Sequence, residues 1–296
     1  MEQRGSVCVR DATEADLDSV IRIGKAAGQV EDWTTVFPDY VRHLIAHGRF
    51  AVGVSGAGLD EQRVTGFGGT MQIGAGPGAI SMLTDLFVDP AVHGLGTGRA
   101  MLDVLWGGQQ RKMTFSSLHS NALPLYSSFG VDAWWPLLYL GGERSRLELP
   151  AGWAVEEAGP GDVAALELAW TGIDRTADHQ MWAARPGGMS LVASRHGRPS
   201  AAGSGGGTGT GYRLSHLVVA GTGENDSADA ADAVIAVLSS SLNSPDSSVS
   251  VCLPAPHPAV RRLLAAGWKV SEFDLYMASE PGLIDPLSSV PSPALA

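Results

Sequence analysis

Cysteine is scarce in this chain, which has only Cys8 and Cys252 among its 296 residues. Two cysteines so far apart, with no CxxC pair, do not make a disulfide framework. No apolar run approaches the roughly 18 residues that a membrane-spanning helix needs, and the N-terminus lacks the apolar core of a signal peptide. We therefore predict a cytoplasmic protein with no membrane partner.

Positive charge is also in short supply, with 20 Lys and Arg against 31 Asp and Glu and a net charge of −11. Because a nucleic-acid-binding surface is basic, this balance predicts no nucleic-acid partner. The only close histidine pair, His43 and His47 in HLIAH, lacks the glutamate of HExxH, so we expect no metal site. The length predicts about two domains of roughly 150 residues each.

Three segments of the chain recur weakly and in the same order. VRDATEADLDSVIRIG near residue 9 is similar to VEEAGPGDVAALELAW near residue 155, and TDLFV at 84–88 is similar to SHLVV at 215–219. LYSSFG, which ends at Gly130, is echoed by LLAAGW around Gly267. We interpret this as an internal duplication; accidental recurrence is the alternative. The predicted domains are residues 1–148 and 149–280, followed by an irregular, proline-rich tail at 281–296.

The segment LFVDPAVHGLGTGRAML, residues 86–102, carries the strongest chemical signal. We predict a strand ending at Val88, a turn at Asp89-Pro90, and a glycine-rich loop leading into a helix that begins at Arg99. Glycines permit close approach of a ligand, and the amides of a helix N-terminus suit a pyrophosphate. The segment is neither a GxGxxG nor a Walker A motif, and GAGPGA at 74–79 precedes a strand instead of a helix.

Two motifs together resemble the GCN5-related N-acetyltransferase (GNAT) superfamily. His93-Gly94-Leu95-Gly96-Thr97-Gly98 resembles its motif A, Gln/Arg-x-x-Gly-x-Gly/Ala, with His in the first position. NALPLYSSFG at 121–130 resembles motif B through Asn121, Leu125-Tyr126 and Gly130. The resemblance covers residues ~7–141. It implies an α/β fold of tandem GNAT-like domains, each a twisted mixed, largely antiparallel sheet flanked by helices, with one splayed pair of parallel strands.

The resemblance implies acetyl-CoA or another acyl-CoA as co-substrate, without a metal. Its pantetheine arm would lie between the strands ending near Val88 and His119 and pair with backbone groups like an added strand. A primary amine of a small molecule would attack the thioester directly in a ternary complex. The cofactor-binding residues implied are Leu86, Phe87, Val88, His93, Gly94, Leu95, Gly96, Thr97, Gly98, Arg99 and Asn121.

Acyl transfer to an amine needs two proton transfers, and a positioned acid or base contributes about 10²–10⁴ in rate. Tyr126 matches the family's general acid, which would protonate the leaving thiolate. Asp85 and His119 are the candidate bases, acting directly or through water. Each residue also has a structural alternative: Tyr126 as a packed core residue, Asn121 as a helix N-cap, and Asp85 and His93 as solvated groups.

The second half lacks these parts, so we predict that it is degenerate. Glu224, Asp226, Asp229 and Asp232 would repel a pyrophosphate, and Leu263 stands where Tyr126 stands in the first half. We interpret the glycine-rich stretch 203–211 as a hairpin loop. The acceptor pocket would come from Gly28–Tyr40, with Trp33, Phe37 and Trp134-Trp135 as candidate lining residues.

Two readings of function other than an enzyme with one site per chain stay open. The chain could be a non-catalytic protein that binds acyl-CoA or a small molecule for sensing or sequestration. The second half could serve assembly while the first half catalyses, and the protein is expected to be a monomer or a homodimer.

Overall fold

The computed structural model describes residues 7–28, 37–56, 63–208, 211–221, 226–241 and 248–295. Contacts within the chain divide it into two compact units, Met1–Thr114 and Phe115–Ala296.

The first unit is a mixed sheet with strand order β1-β2-β3-β4-β5 and flanking helices. Its neighbours are antiparallel except for the parallel pair β4 and β5. The strands are β1 (Cys8–Asp11), β2 (Arg49–Ser55), β3 (Arg63–Ile73), β4 (Ile80–Val88) and β5 (Lys112–Ser116), and the helices are α1 (Leu17–Ala26), α2 (Phe37–His47) and α3 (Thr97–Leu105). The apolar side of α3, with Met101 and Leu102, is fully buried, as its amphipathic pattern predicts.

The second unit has strand order β12-β6-β11-β10-β9-β8-β7. Its one parallel pair is β10 with β11, and the other described ladders are antiparallel. The strands are β6 (Asp132–Glu143), β7 (Trp153–Glu157), β8 (Met189–Arg195), β9 (Arg198–Thr208), β10 (Gly211–Val219), β11 (Ser248–Pro254) and β12 (Lys269–Ala278). The helices are α4 (Ala122–Ser127), α5 (Pro160–Thr171), α6 (Thr176–Ala183), α7 (Asp226–Ser240) and α8 (Pro258–Ala265).

Each unit contains a strand with a β-bulge directly after its parallel ladder. In β4 the parallel pairing ends at Leu83, and the register with β3 skips Thr84. In β10 the parallel pairing ends at Leu214, and the register with β9 skips Ser215. Thr84 and Ser215 are the first residues of the recurring segments TDLFV and SHLVV. The same local irregularity at matched positions supports the duplication.

The compact units divide the chain at a different place from the predicted boundary near residue 148. The reason is β6, whose residues 132–143 form ladders with both β11 and β12 inside the second unit. A strand that follows the motif B segment in sequence is therefore part of the second unit's sheet. The boundary at 148 stays a prediction about where the repeat begins.

The prediction of a hairpin loop at 203–211 is wrong for the part that the structure describes. Residues 203–208 belong to β9 and pair with β10. A Cβ at Gly203 would overlap the carbonyl oxygen of His216, and one at Gly205 would overlap that of Arg213. Glycine in a strand marks close approach of another backbone, and this close packing is why a glycine run forms a buried strand here.

Two other sequence predictions need smaller corrections, whereas the prediction of an irregular tail agrees with the structure. The helix predicted from Arg99 begins at Thr97, so Gly98 lies in its first turn. The strand predicted to reach His119 ends at Ser116, whose hydroxyl donates to the Ser117 carbonyl at 2.8 Å. The tail is irregular but packed, with Val290 and Leu295 almost fully buried.

The close packing of the glycines in β9 leads to a prediction about stability. Gly205→Ala should lower the free energy of unfolding by about 1–3 kcal/mol, because its Cβ would overlap backbone in a close-packed sheet. Gly161→Ala is the matched control: Gly161 lies in α5 with open space at its Cβ position. It should be neutral or stabilise by up to about 1 kcal/mol through helix propensity. Urea unfolding measures both, and equal effects would contradict this account of β9.

Candidate functional site

The open edge of β4 begins where its parallel partner ends. The ladder with β5 covers Ser81–Leu83, whereas the ladder with β3 continues to Val88. The Thr114 hydroxyl donates to the Leu83 carbonyl at 2.9 Å, on the last paired residue of that ladder. Within the described part of the first unit, β3 is thus the ladder partner of Leu86, Phe87 and Val88. The Phe87 ring stacks on Phe67 of β3, with ring centroids 5.2 Å apart.

A buried aspartate holds the turn after β4. Asp89 accepts a bond from the Ala91 amide at 3.0 Å and from Arg22 and Arg63 at 2.9 and 2.8 Å. The Ala91 amide, and then Arg22 and Arg63, hold the pKa of Asp89 below its ordinary value, so the carboxylate stays charged. This anchors the start of the glycine-rich loop to α1 and β3.

The loop then leads into the N-terminus of α3 through two glycines whose φ angles lie in the left-handed region. Gly94 has φ 79° and Gly96, the N-cap of α3, has φ 91°. Other residues rarely adopt such angles. Thr97 is buried, and a Cβ at Gly53 or Gly66 would lie 3.0 or 3.1 Å from its methyl group. These sheet glycines let the first turn of α3, whose amides have no intrahelical partner, sit close on the strands.

His93 and Arg99 are the two side chains predicted to contact a phosphate. His93 is exposed, and its Nε2 lies 2.9 Å from the Val88 carbonyl, to which it donates as the protonated nitrogen. One carbonyl of the strand end is therefore already bonded. Arg99 is exposed on the first turn of α3, and Leu95 is 63% exposed at the loop tip.

Asp85, the candidate base, follows the bulge directly. The Tyr40 hydroxyl on α2 donates to its Oδ2 at 2.6 Å. Burial raises the pKa of Asp85, and the Tyr40 hydroxyl opposes that rise in part. A carboxyl with a raised pKa, at the point where a strand becomes irregular, suits proton transfer. Sequence reasoning missed Tyr40 because it lies 45 residues away from Asp85 in the chain.

Three predicted site residues lie in the second unit. Tyr126 is buried on α4. Asn121 is the exposed N-cap residue of that helix, but its side chain makes no capping bond. The Asn121 amide donates to His119 Nδ1 at 3.3 Å, so the exposed ring of His119 offers its Nδ1 as an acceptor there. The roles of these residues, like those of the cofactor loop, stay predictions.

The acidic residues of the second half are less repulsive than predicted. Asp229 is paired with Arg195, and Asp232 is bonded to Arg262. These arginines offset the charge that was expected to repel a phosphate. Glu224 lies outside the described residues. Leu263, at the position equivalent to Tyr126, is fully buried in the core.

The acceptor pocket prediction falls partly outside the described residues. Trp33 lies outside the described residues, and the side chain of Phe37 is not described either. Within the second unit, the Trp135 ring stacks on Tyr276 at 4.2 Å, and Trp134 Nε1 donates to the Ala278 carbonyl at 3.1 Å. Both indoles are therefore engaged with β12.

The part of the chain that the structure describes contains no group of three or more His, Cys, Asp or Glu side chains that could hold a metal ion. None of the described helices is both long enough and apolar enough to span a membrane. His43 and His47 lie on one face of α2, with ring centroids 4.9 Å apart.

A buried ionic cluster in the second unit was missed altogether. Glu167 on α5 accepts from His179 Nε2 at 2.8 Å and from His216 Nε2 at 3.0 Å, and it lies 3.3 Å from Arg175 Nε. Burial opposes the charge, but His216, His179 and Arg175 hold the pKa of Glu167 well below its ordinary value. A charged residue on the apolar helix α5 was the available signal.

Comparison with solved structures identifies the fold. A putative acetyltransferase from Pyrococcus horikoshii superposes with a TM-score of 0.68 at 16% identity, covering 100% of this chain and 97% of that one. A GCN5-related N-acetyltransferase from Kribbella flavida gives 0.60 at 19% identity, covering 93% and 71%. A tandem GNAT protein from the clavulanic acid biosynthesis pathway gives 0.57 at 14% identity, covering 95% and 100%.

No protein-family model matches the sequence, and a search of curated proteins gives no match either. The structural likenesses therefore carry the assignment, and they establish that the chain has the GNAT fold. The predicted fold class is confirmed, and the match to a tandem GNAT extends over nearly the whole chain.

The raised pKa of Asp85 predicts a pH dependence of stability. The ordinary pKa is 3.8 and the folded value is higher, so between the two the native state binds more protons than the unfolded state. The free energy of unfolding must therefore fall as pH rises through that window. Asp85→Asn should remove this slope, and Tyr40→Phe, which removes the bond that lowers the pKa, should steepen or extend it.

Urea unfolding from pH 4 to pH 8 measures these slopes in the wild type and both variants. Wild type and Asp85→Asn with the same slope would contradict a raised pKa of Asp85.

Proposed function

We propose that the protein is an N-acyltransferase that moves an acyl group, acetyl in the simplest case, from acyl-CoA to a primary amine of a small molecule. The observation that carries the proposal is the joint arrangement in the first unit. An open strand edge at Leu86–Val88 leads through a turn held by Asp89 into the exposed amides of α3. A thioester donor with an amide-bearing arm and a pyrophosphate matches that order of groups.

Different groups of the protein would bind the different parts of the acyl-CoA donor. Backbone groups of Leu86–Val88 would pair with the amides of the pantetheine arm, as an added strand does. The amides of 94–99 and the α3 dipole would bind the pyrophosphate, with Arg99 as a charged contact. The Cβ positions of Gly94 and Gly96 face open space, which supports the close approach of a phosphate there.

Proton transfer is assigned to side chains that the motifs and the geometry single out. Tyr126 would protonate the departing thiolate, and its assignment rests on the resemblance of 121–130 to motif B. Asp85 would accept a proton from the acceptor's ammonium group, directly or through water, and so give the neutral amine that attacks the thioester. Its burial and its bond to Tyr40 support this role, because a raised pKa brings a carboxyl closer to the operating pH. His119 is the weaker base candidate, since its Nδ1 already accepts the Asn121 amide.

The acceptor is proposed only as a class, a small molecule with a primary amine. The net charge of −11 favours approach of a cation in general terms. The cytoplasmic location stays a prediction from the sequence.

The donor site can be tested by binding and by amide exchange together. Acetyl-CoA should bind the full chain in a calorimetric titration and slow hydrogen exchange of the Leu86 amide. Gly96→Glu should abolish binding, because it places a carboxylate and a side chain where the pyrophosphate would lie. Gly74→Glu is the matched control, since Gly74 also has a positive φ and open space but lies in the β3–β4 connection.

Equal affinities for acetyl-CoA in the two glutamate variants would refute the loop assignment. Binding that is retained, with no thiol release across a broad amine panel, would favour a non-catalytic binding protein instead.

The acid role of Tyr126 gives a kinetic prediction. Tyr126→Phe should lower kcat by about 10²-fold or more and leave the affinity for acetyl-CoA nearly unchanged. Tyr212→Phe is the control, because Tyr212 is a fully buried tyrosine whose hydroxyl bonds the Met189 carbonyl inside the second unit. Thiol release measures both variants. A kcat that falls as far in Tyr212→Phe as in Tyr126→Phe would rule out a specific acid.

A further inference from the structure

The C-terminal tail forms a backbone bridge to β10 inside the second unit. The Leu217 amide donates to the Val290 carbonyl at 3.2 Å, and the Val290 amide donates to the Leu217 carbonyl at 3.4 Å. A strand residue directs its amide and carbonyl to the same side. Because Leu217 gives both groups to Val290, the tail must lie on the side of β10 that faces away from β9.

That side of β10 is the side of its parallel partner β11. The parallel ladder ends at Leu214, and Ser215 forms the bulge, so Leu217 lies on the edge that opens beyond the ladder. The tail therefore occupies the gap between β10 and the departing β11. It does so through a single isolated β-bridge between Leu217 and Val290.

The first unit has the matching edge. Leu86 lies two residues after the Thr84 bulge, as Leu217 lies two residues after the Ser215 bulge. The two leucines hold the same place in the recurring segments TDLFV and SHLVV. The edge of Leu86 is the one proposed to receive the pantetheine arm. The duplicate of that edge is thus filled by the chain itself.

The tail is built into the second unit at more than one point. Val290 is fully buried, and Leu295 and Ser292 are nearly so. The Leu295 carbonyl accepts from Arg175 Nη1 at 3.0 Å, and the same nitrogen bonds Asp178 at 3.0 Å. A buried guanidinium paired with carboxylates is fixed in place, so the tail is held by a side chain as well as by the bridge.

We propose that residues 281–295 occupy a second CoA-type site at the β10 edge, and that displacing them opens this edge to the amide-bearing arm of CoA. The proposal rests on the proposed function in one respect, that the equivalent edge in the first unit receives this arm. On this proposal, the second unit lacks a donor site because the tail covers the strand edge. The acidic residues are not the cause, since two of them have arginine partners.

The test uses the full chain with a charge placed at the bridge. Val290→Asp puts a carboxylate in a fully buried position, where an unpaired charge is strongly unfavourable, and so displaces the tail. Leu287→Asp is the matched control, because it introduces the same aspartate into the same tail, but at a side chain that is 46% exposed. Val290→Gly is a milder second variant, which removes the buried side chain without adding charge.

Two measurements are made on each protein. Hydrogen exchange at the Leu217 amide should be faster by about tenfold or more in the two Val290 variants, because the bridge no longer protects it. It should stay at the wild-type rate in Leu287→Asp. Calorimetric titration with CoA should then give one more CoA bound per chain in the Val290 variants than in the wild type and the control.

The outcomes separate this inference from the proposed function. A wild type that binds no CoA, with a Val290 variant that binds one, would remove the proposed function and keep the tail inference. Faster exchange at Leu217 with unchanged CoA stoichiometry would overturn the inference. Unchanged exchange at Leu217 in folded Val290 variants would overturn it as well, since the bridge would then not be what closes the edge.

Discussion

The early end of the parallel ladder between β4 and β5 is the constraint on which the site depends. After Leu83 the strand bulges at Thr84. Within the described first unit, Leu86–Val88 then form a ladder with β3 only, and the Val88 carbonyl also accepts from His93. A strand edge with unpaired backbone groups is a template for another extended chain. The bulge also sets Asp85 against Tyr40, and Asp89 then fixes the direction in which the loop leaves the sheet.

Both units contain the same β-bulge, but the residues that follow the bulge have different partners in each unit. In the second unit the residue after the bulge is His216, bonded to Glu167, where the first unit has Asp85 bonded to a tyrosine. The edge two residues further on is bridged by Val290, whereas the first unit's edge is the proposed donor site. A duplicated scaffold can keep its backbone geometry while its side chains change, because the bulge is held by ladder hydrogen bonds on both sides of it. The side chains that surround it are then free to take on core packing.

Much of the fold could be predicted from local pattern. The strand TDLFV, the glycines before α3 and the helix bearing Tyr126 all stand where periodicity and turn residues indicated them. The predictions that went wrong, or that need revision, concern residues whose neighbours come from afar. The glycine run at 203–208 is a strand because β10 approaches it closely, and Asp229 and Asp232 of α7 are paired with Arg195 and Arg262. Neither partner is visible in a local window of sequence.

The sequence by itself determined the position of the glycine loop, because positive φ angles and helix starts are properties of a few adjacent residues. Its two motifs indicated the class of fold through their resemblance to the GNAT superfamily. Only the tertiary structure decided which groups meet across long separations. Tyr40 reaches Asp85, Arg22 and Arg63 reach Asp89, and Val290 closes on Leu217. Burial and hydrogen bonding between distant segments set these contacts, and with them the raised pKa of Asp85 and the position of the tail against β10. No local pattern in the chain encodes those distances.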